Sequence, residues 1–386
     1  MPIPCFETVE QVIEKLKPGY PVYCLRPAEI NRQARFFLDM FPGRVLYAVK
    51  CNPHLEVLRA LYEAGIRHFD TASLVEIALV REHFPQADCY FMHPVKARAA
   101  ISTAHQVYSV DHYVIDHVKE LEKLIDTTGG GDGLVVLVRI VTPEHDAQYQ
   151  LSDKFGVPAD QAAELLRQVH KAHFQTGVAF HVGSQCRSPE AFVDGIKTAL
   201  EVIAEADVPV HYLDVGGGFP ALYEDDQPPP LEEYFDSIQR AFEQAKLRRD
   251  CVLMCEPGRA LVASGCSLLT QIQLRKDDRL YINDGIYQSL SETVFGKMKL
   301  PTRLINPYRS ISSTSQDFTI LGPTCDNLDI LPMPFHLPDD AEEGDWIEIG
   351  QAGAYTNAAA TRFNGFFPET FVSVAAPPLM PTTAGS

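Results

Sequence analysis

The segment YAVKCNP, residues 47–53, ends an apolar, strand-like run on an ammonium group, that of Lys50. A lysine at the end of a buried strand must be paired, reach water, or be used covalently. Other segments bear on that choice. LDVGGGFP (213–220) sets three glycines directly after a strand pattern, where backbone N–H groups can approach an anion closely. It matches neither a G-x-G-x-x-G fingerprint nor a Walker loop, and a GGG alone reads as a flexible turn. CEPGRAL (255–261) places Glu256 at the end of an apolar strand pattern and Arg259, a suitable phosphate ligand, three residues later. A carboxylate in that setting is desolvated unless a cation partners it. Lysine, phosphate cradle and buried carboxylate together suit pyridoxal 5′-phosphate (PLP). Lys50 would form the Schiff base with its aldehyde. Glu256 would keep its ring nitrogen protonated, so that the ring accepts electrons. His181 would stack on the ring, although in isolation it reads as a satisfied core histidine.

A regular alternation positions these residues. Strand patterns fall at 44–49, 66–69, 88–92, 106–110, 134–140, 177–182, 210–215 and 251–255. Most are near-continuous apolar runs, as in parallel strands covered on both faces. Amphipathic patterns lie between them, as in 54–64 and 158–173, with Asp160 and Ser188 as candidate caps. Eight strands alternating with helices predict a (β/α)8 barrel of the TIM type. Such barrels carry chemistry at the C-terminal strand ends. Those ends are Lys50, Asp70, His93, Asp111, Arg139, His181, Gly216 to Gly218, and Glu256. A second glycine run, TTGGGDG (127–133), precedes its strand and reads as an ordinary loop at the opposite end.

The pattern changes after Glu256. SLLTQIQLR, DRLYIND, DFTILGP and DWIEIG read as strands with little helix between them. The expected organisation is a PLP-binding barrel over 27–260 and a β-rich, Greek-key or β-barrel-like domain from 1–26 and 261–375. PVYCLR (21–26) would add a strand to the second domain, and 376–386 would be a disordered tail.

With 386 residues and 46% hydrophobic content, the chain can bury the cores of two domains. Its net charge of −18 repels phosphate backbones, which argues against nucleic-acid partners. Nine cysteines without a C-x-x-C argue against a disulfide framework or a metal site and fit a reducing compartment. No apolar run is long enough to span a membrane, and MPIPCFETVE lacks a signal-peptide pattern. The expectation is a cytoplasmic protein without a membrane partner.

YAVKCNP, HVGSQ, DVGGGFP, EPGR and GPTCDNLD resemble, in order, the motifs of the fold-type III PLP-dependent decarboxylases. The resemblance is strongest to the ornithine decarboxylase branch, which includes bacterial lysine/ornithine decarboxylases. It implies an enzyme that converts L-ornithine to putrescine for polyamine biosynthesis, or L-lysine to cadaverine, as a homodimer sharing active sites across its interface. By this resemblance Lys50 is the Schiff-base lysine, Glu256 pairs with the ring nitrogen, and His181 stacks. Ser184, Gly217, Gly218, Arg259 and Tyr355 hold the phosphate. Asp70, Glu76 and Arg139 form the supporting polar network. Cys325 governs protonation at Cα from across the interface, Asp326 binds the substrate's distal ammonium, and Tyr287 and Tyr355 line the substrate site. Lys154 and Asp329 match a pair that bridges subunits.

Diaminopimelate decarboxylases carry C-E-S where this chain has CDN, and an RPxLY-like segment absent here. Arginine decarboxylases of this fold are expected to be much longer chains. One departure from the ornithine branch is the missing Tyr-Asp-His after NDGIY: the chain reads SETVFGKMKL at 291–300. Glu292 is a substitute distal-amine contact or simply an exposed loop acid. Three rivals are an alanine-racemase-like enzyme, a non-catalytic relative of the antizyme-inhibitor kind, and a barrel enzyme using carboxylates on sugars. The racemase is disfavoured because it places an arginine where Glu256 stands. The second is disfavoured because Lys50, Glu256, Cys325 and Asp326 are all present. The lysine and the glycine cradle weaken the third.

Overall fold

The computed structural model describes residues 3–131, 133–143, 147–149 and 154–382. Eight parallel strands close a barrel: Arg44–Ala48, His68–Thr71, Asp88–Phe91, His112–Ile115, Val135–Arg139, Gln175–Ala179, Tyr212–Asp214 and Val252–Cys255. The last pairs back onto the first. Their two-residue period explains the continuous apolar runs. Leu46, Tyr90, Val114, Leu137, Ala179 and Met254 fill the barrel interior. Val45, Tyr47, Phe69, Phe91 and Val136 belong instead to the main core that includes the helices.

The helical periodicity translates directly. Leu55–Ala64 buries Val57, Leu58, Ala60 and Leu61 and ends at Gly65, whose φ of 119° suits a left-handed cap. The ring of helices closes in an unexpected way. The last strand is followed by a single α-helical turn, Arg259–Val262, and a 3-10 turn, Ala263–Gly265, rather than a full helix. The helix Pro27–Met40, which precedes the first strand, packs Phe36 and Phe37 against Phe235 of Leu231–Gln244. The eighth helical position is thus supplied from the N-terminal side.

The strand expected at 106–110 is not formed. Those residues end the helix Arg98–Gln106: the Val107 and Tyr108 N–H groups donate to Thr103 O, and Val110 N–H donates to Ala104 O. The strand is His112–Ile115. A short apolar run cannot by itself separate a strand from a helix terminus. Asp111 therefore precedes its strand, away from the mouth, and bonds His112 Nδ1 at 2.6 Å. Neither Asp160 nor Ser188 caps a helix with its side chain. Helices Ala159–Lys171 and Glu190–Ala206 start at Pro158 and Pro189, and Asp160 lies in the first turn, where the helix dipole favours an acid.

A nine-stranded sheet adjoins the barrel. Val22–Leu25 lies in it between Thr370–Val374, parallel, and Cys266–Lys276, antiparallel, so both ends of the chain meet there. A buried ion pair, Arg26 to Glu348 at 2.7 Å with Ser267 donating to the same carboxylate, ties these strands together. Strands Thr302–Ile305, Phe335–Pro338 and Thr370–Val374 were not legible in the sequence. The start of the tail, expected to be disordered, lies along the surface. Arg26 Nε donates to the Ala376 and Pro377 carbonyls, and Thr382 bonds Glu224. Residues 383–386 fall outside the described residues.

Candidate active site

After Arg44–Ala48 the chain makes one 3-10 turn, Val49–Cys51, which turns Lys50 into the barrel mouth. Lys50 Nζ donates to Asp70 Oδ2 at 2.8 Å. The Asp70 side chain is 2% exposed, whereas that of Lys50 is 43% exposed because it projects into the opening. Burial works against the Lys50 charge, but the Asp70 and Glu256 carboxylates outweigh it and hold the ammonium above its ordinary range. The turn is clasped from the sheet side. Asn52 Nδ2 donates to Gly353 O, Asn357 Nδ2 donates to Asn52 Oδ1, and Tyr355 N–H donates to Cys51 O. Cys51 is buried, which pushes its thiol up to about 12 and leaves it a structural residue.

Two further carboxyls act on this lysine, a fully buried Asp214 and a half-buried Glu256. Glu256 follows the last strand, and its N–H donates to Gly216 O. Burial, then Asp214 and Asp70, push its carboxyl well above the usual range. Burial raises Asp214 to about 6. Asp214 Oδ1 accepts the Gly216 N–H at 2.8 Å, and the Asp214 and Glu256 carboxyls form a hydrogen-bonded pair. Arg139 is the neighbouring cation. Burial lowers its pKa against the pull of Glu256, Asp116 and Asp70, and its guanidinium stands 5.5 Å from the Phe155 ring. His181 Nδ1 accepts the Gly183 N–H at 3.0 Å, which places the ring proton on Nε2. Burial, Arg139 and Lys50 hold His181 well below its ordinary pKa, so it presents a neutral ring.

The glycine run and Arg259 lie beside this group. Gly216 and Gly218 have φ of 69° and 105°. A Cβ at Gly217 would meet Glu256 O at 2.8 Å and His181 Nε2 at 3.0 Å, and one at Gly218 would meet Gly183 O at 2.4 Å. Arg259 is 4% exposed. It donates to Tyr223 Oη at 2.8 Å and Glu292 Oε2 at 2.6 Å, and reaches Ser184 Oγ at 3.5 Å; its Nε is buried without a partner. The Tyr355 ring lies 5.0 Å from the guanidinium.

The mouth thus brings together Lys50, Asp70, Arg139, His181, Ser184, Gly217, Gly218, Glu256, Arg259 and Tyr355. Burial raises the Glu76 carboxyl, and the charges of Asp70 and Lys50 act on it, so it belongs to the polar surroundings of Lys50; it also caps a helix. Its Oε2 accepts the Ala72 N–H while Ser73 Oγ accepts the Glu76 N–H, a capping arrangement at the start of Leu74–His83. Glu292 is neither an exposed loop acid nor free to meet a distal amine: its side chain is 13% exposed and is paired with Arg259.

Cys325, Asp326, Tyr287 and Asp329 form a second group on the sheet side. Tyr287 Oη donates to Asp326 Oδ2 at 2.7 Å, and exposed Cys325 donates its N–H to Asn364 Oδ1. No hydrogen bond or ion pair among the described residues links this group to Lys50 or Glu256. Asp329, expected to bridge subunits, is 2% exposed and already accepts from Ile286 N–H, Thr324 N–H and Thr324 Oγ. Its place is an internal clamp between two loops. Lys154, its expected mate, is exposed with its ammonium 5.0 Å from the Phe155 ring. Sequence reasoning missed Asp214, Tyr223, Asn52 and Asn357. Asp214 had a signal, since it ends the strand just before the glycines. Asn52 and Asn357 had none, being 305 positions apart.

A parallel barrel with a lysine, a buried acid and an anion cradle at its mouth, joined to a β-sheet, defines a pyridoxal-dependent enzyme. Residues 27–263 match the family model "Pyridoxal-dependent decarboxylase, pyridoxal binding domain", and the chain belongs to that family, in its ornithine/lysine branch. It is 31% identical over 369 residues to the lysine/ornithine decarboxylase of Selenomonas ruminantium, covering 93% of this chain and 90% of that protein. It is 31% identical to antizyme inhibitor 2 of Xenopus laevis, covering 87% of this chain and 77% of that one. Among solved structures it is similar to the arginine decarboxylase of Paramecium bursaria Chlorella virus bound to agmatine. There the TM-score is 0.84 and the identity 27%, over 95% of this chain and 99% of that one. An arginine decarboxylase of this fold can therefore be as short as this chain, which removes length as a ground against arginine.

The residues present fit PLP. Arg259 Nε is buried without an acceptor, Glu256 and Asp214 set a raised acid pair beside Lys50, a Cβ at Gly217 would crowd His181 Nε2 at 3.0 Å, and Lys50 opens to the mouth. Gly218→Ala tests the cradle. Its Cβ strains a φ of 105° and collides with Gly183 O, so PLP affinity measured by fluorescence titration is expected to fall about tenfold or more.

Proposed function

We propose that the protein removes the α-carboxylate of a basic L-amino acid, with L-ornithine and L-lysine as substrates and putrescine and cadaverine as products. The observation that carries this reading is the Lys50–Asp70 pair facing Glu256 and a neutral His181 in one barrel mouth. When bound, PLP supplies an aldehyde for covalent attachment and a protonated ring that accepts the electron pair left by carbon dioxide. Asp70 orients Lys50 and is the nearest acceptor for the proton the ammonium must lose before its nitrogen can attack. Glu256 would pair with the ring nitrogen, and His181 would pack on the ring. Ser184, Gly217, Gly218, Arg259 and Tyr355 would hold the phosphate, and Arg139 would balance the acids. Residues 27–260 act as the cofactor-binding domain, and 1–26 with 261–375 act as the β-rich domain presenting the second group.

That second group supports a homodimer. No hydrogen bond or ion pair among the described residues joins Cys325 or Asp326 to their own chain's Lys50, and large apolar side chains near them are exposed, Leu328 at 71% and Phe363 at 43%. In the dimer, Asp326, held by Tyr287, meets the substrate's distal ammonium in the partner's mouth, and Cys325 governs the proton delivered to Cα. Lys154 takes part in the interface. No helix among the described residues is long and apolar enough to cross a membrane.

The test is a steady-state comparison of L-ornithine, L-lysine, L-arginine and meso-diaminopimelate. The expected order puts ornithine and lysine first. Asp326→Ala is expected to lower kcat/KM about a hundredfold for them, mainly through KM. Preference for meso-diaminopimelate would sink the role given to Asp326. The likeness to the viral arginine decarboxylase favours arginine as the second reading. A protein that binds no PLP would instead sit with the inhibitor-like relatives.

A further inference from the structure

Arg259 is the cradle's cation, yet a carboxylate of the same chain already holds it. Glu292 lies on the single turn Glu292–Phe295, and its Oε2 accepts from an Arg259 terminal nitrogen at 2.6 Å. That same nitrogen reaches Ser184 Oγ at 3.5 Å, so the Glu292 carboxylate stands on the side of the guanidinium that turns toward the cradle. Both side chains are nearly closed to solvent, 4% and 13% exposed, so water screens their charges little. The turn is anchored independently of the ion pair: Gly296 and Met298 N–H groups donate to Glu292 O, and Thr293 Oγ1 donates to Leu290 O.

A phosphate dianion set among Ser184, Gly217, Gly218 and Arg259 would lie against this carboxylate. Two anions would then share one guanidinium in a poorly screened site, where like charges repel strongly. The acid nonetheless serves the protein, because Arg259 is a buried cation and requires a counter-charge. We propose that Glu292 is a built-in competitor for the phosphate cradle, a carboxylate that neutralises Arg259 and must yield the guanidinium to a phosphate monoester. Glu292 therefore sets how tightly this chain holds its cofactor. The proposal rests on the reading of Arg259 as a phosphate ligand. It also changes the meaning of SETVFG, from a substitute substrate contact to a control on cofactor retention.

The experiment compares wild type, Glu292→Gln and Glu292→Asp in two readouts. The first is the dissociation constant for PLP and for inorganic phosphate, by titration of the cofactor-free protein. The second is the melting temperature with and without each ligand. Glu292→Gln keeps size and hydrogen-bonding capacity but loses the charge. It is expected to bind both ligands about tenfold tighter or more, to melt lower without ligand because Arg259 has lost its counter-charge, and to gain more on ligand addition than wild type does. Glu292→Asp keeps the charge on a shorter arm and is expected to fall between the two. A merely structural Glu292 predicts lower melting with unchanged or weaker affinity, and that result overturns the proposal. If Glu292→Gln does not fold, Glu292→Asp decides: phosphate affinity equal to or weaker than wild type overturns it. Wild type that binds no PLP at all overturns the cofactor reading itself. Wild type that binds PLP, with no tightening in the variants, overturns only the role of Glu292.

Discussion

Lys50→Ala is expected to lower decarboxylation by about a thousandfold or more and to remove the near-visible absorption band of the bound cofactor. The reason is positional. The 3-10 turn after the first strand, clasped by Gly353, Tyr355 and Asn357, points Lys50 into the opening and pairs it with Asp70. Alanine also strips buried Asp70 of its 2.8 Å counter-charge, so the variant is expected to melt lower as well. Lys50→Arg separates the two effects. It preserves a cation for Asp70 but cannot take the lysine's covalent part. It is expected to recover stability and to remain as inactive as the alanine variant. Activity within tenfold of wild type in Lys50→Arg would show that the lysine acts only as a charge.

The second large effect is at Glu256. Glu256→Gln is expected to lower kcat about a hundredfold or more, because a neutral amide cannot balance a protonated ring nitrogen. The same substitution is expected to raise the stability of the cofactor-free protein at neutral pH. The folded carboxyl has a pKa well above that of an ordinary glutamate, through burial and then Asp214 and Asp70. Between the two pKa values the native state binds the proton and the unfolded state does not, so stability falls as pH rises through that window. Glutamine removes that loss. Urea unfolding across pH should show a weaker decline with rising pH in Glu256→Gln than in wild type. An equal slope would mean that Glu256 is not the group holding the proton. Activity falling while stability rises is the pattern of a residue kept in an unfavourable charge environment for its use with a cofactor.

Much of this was legible from local pattern. Seven of the eight barrel strands, the helices at 55–64 and 159–171 and the N-terminal strand in the sheet fall where the sequence places them. Each rests on a period of apolar residues, which the chain carries within a few turns of itself. The failure at 106–110 shows the limit, since a β-rich run can equally well finish a helix. Glu76 and Glu292 show another. Both are acids near a site, and neither spacing nor type tells whether an acid caps a helix or neutralises an arginine.

Residue chemistry and order by themselves determined that Lys50, Gly216 to Gly218, Glu256 and Arg259 stand after strands of a parallel barrel, because burial and hydrogen bonding allow polar groups there only at strand ends. The tertiary structure alone decided which of them meet. It placed Asp214 beside Glu256 and set Glu292 on Arg259. It turned Asp329 inward and brought Asn357 onto the Lys50 turn across 305 positions. Those pairings depend on packing between distant segments, and a charge's partner is chosen by distance and by the exclusion of water, neither of which a linear order contains.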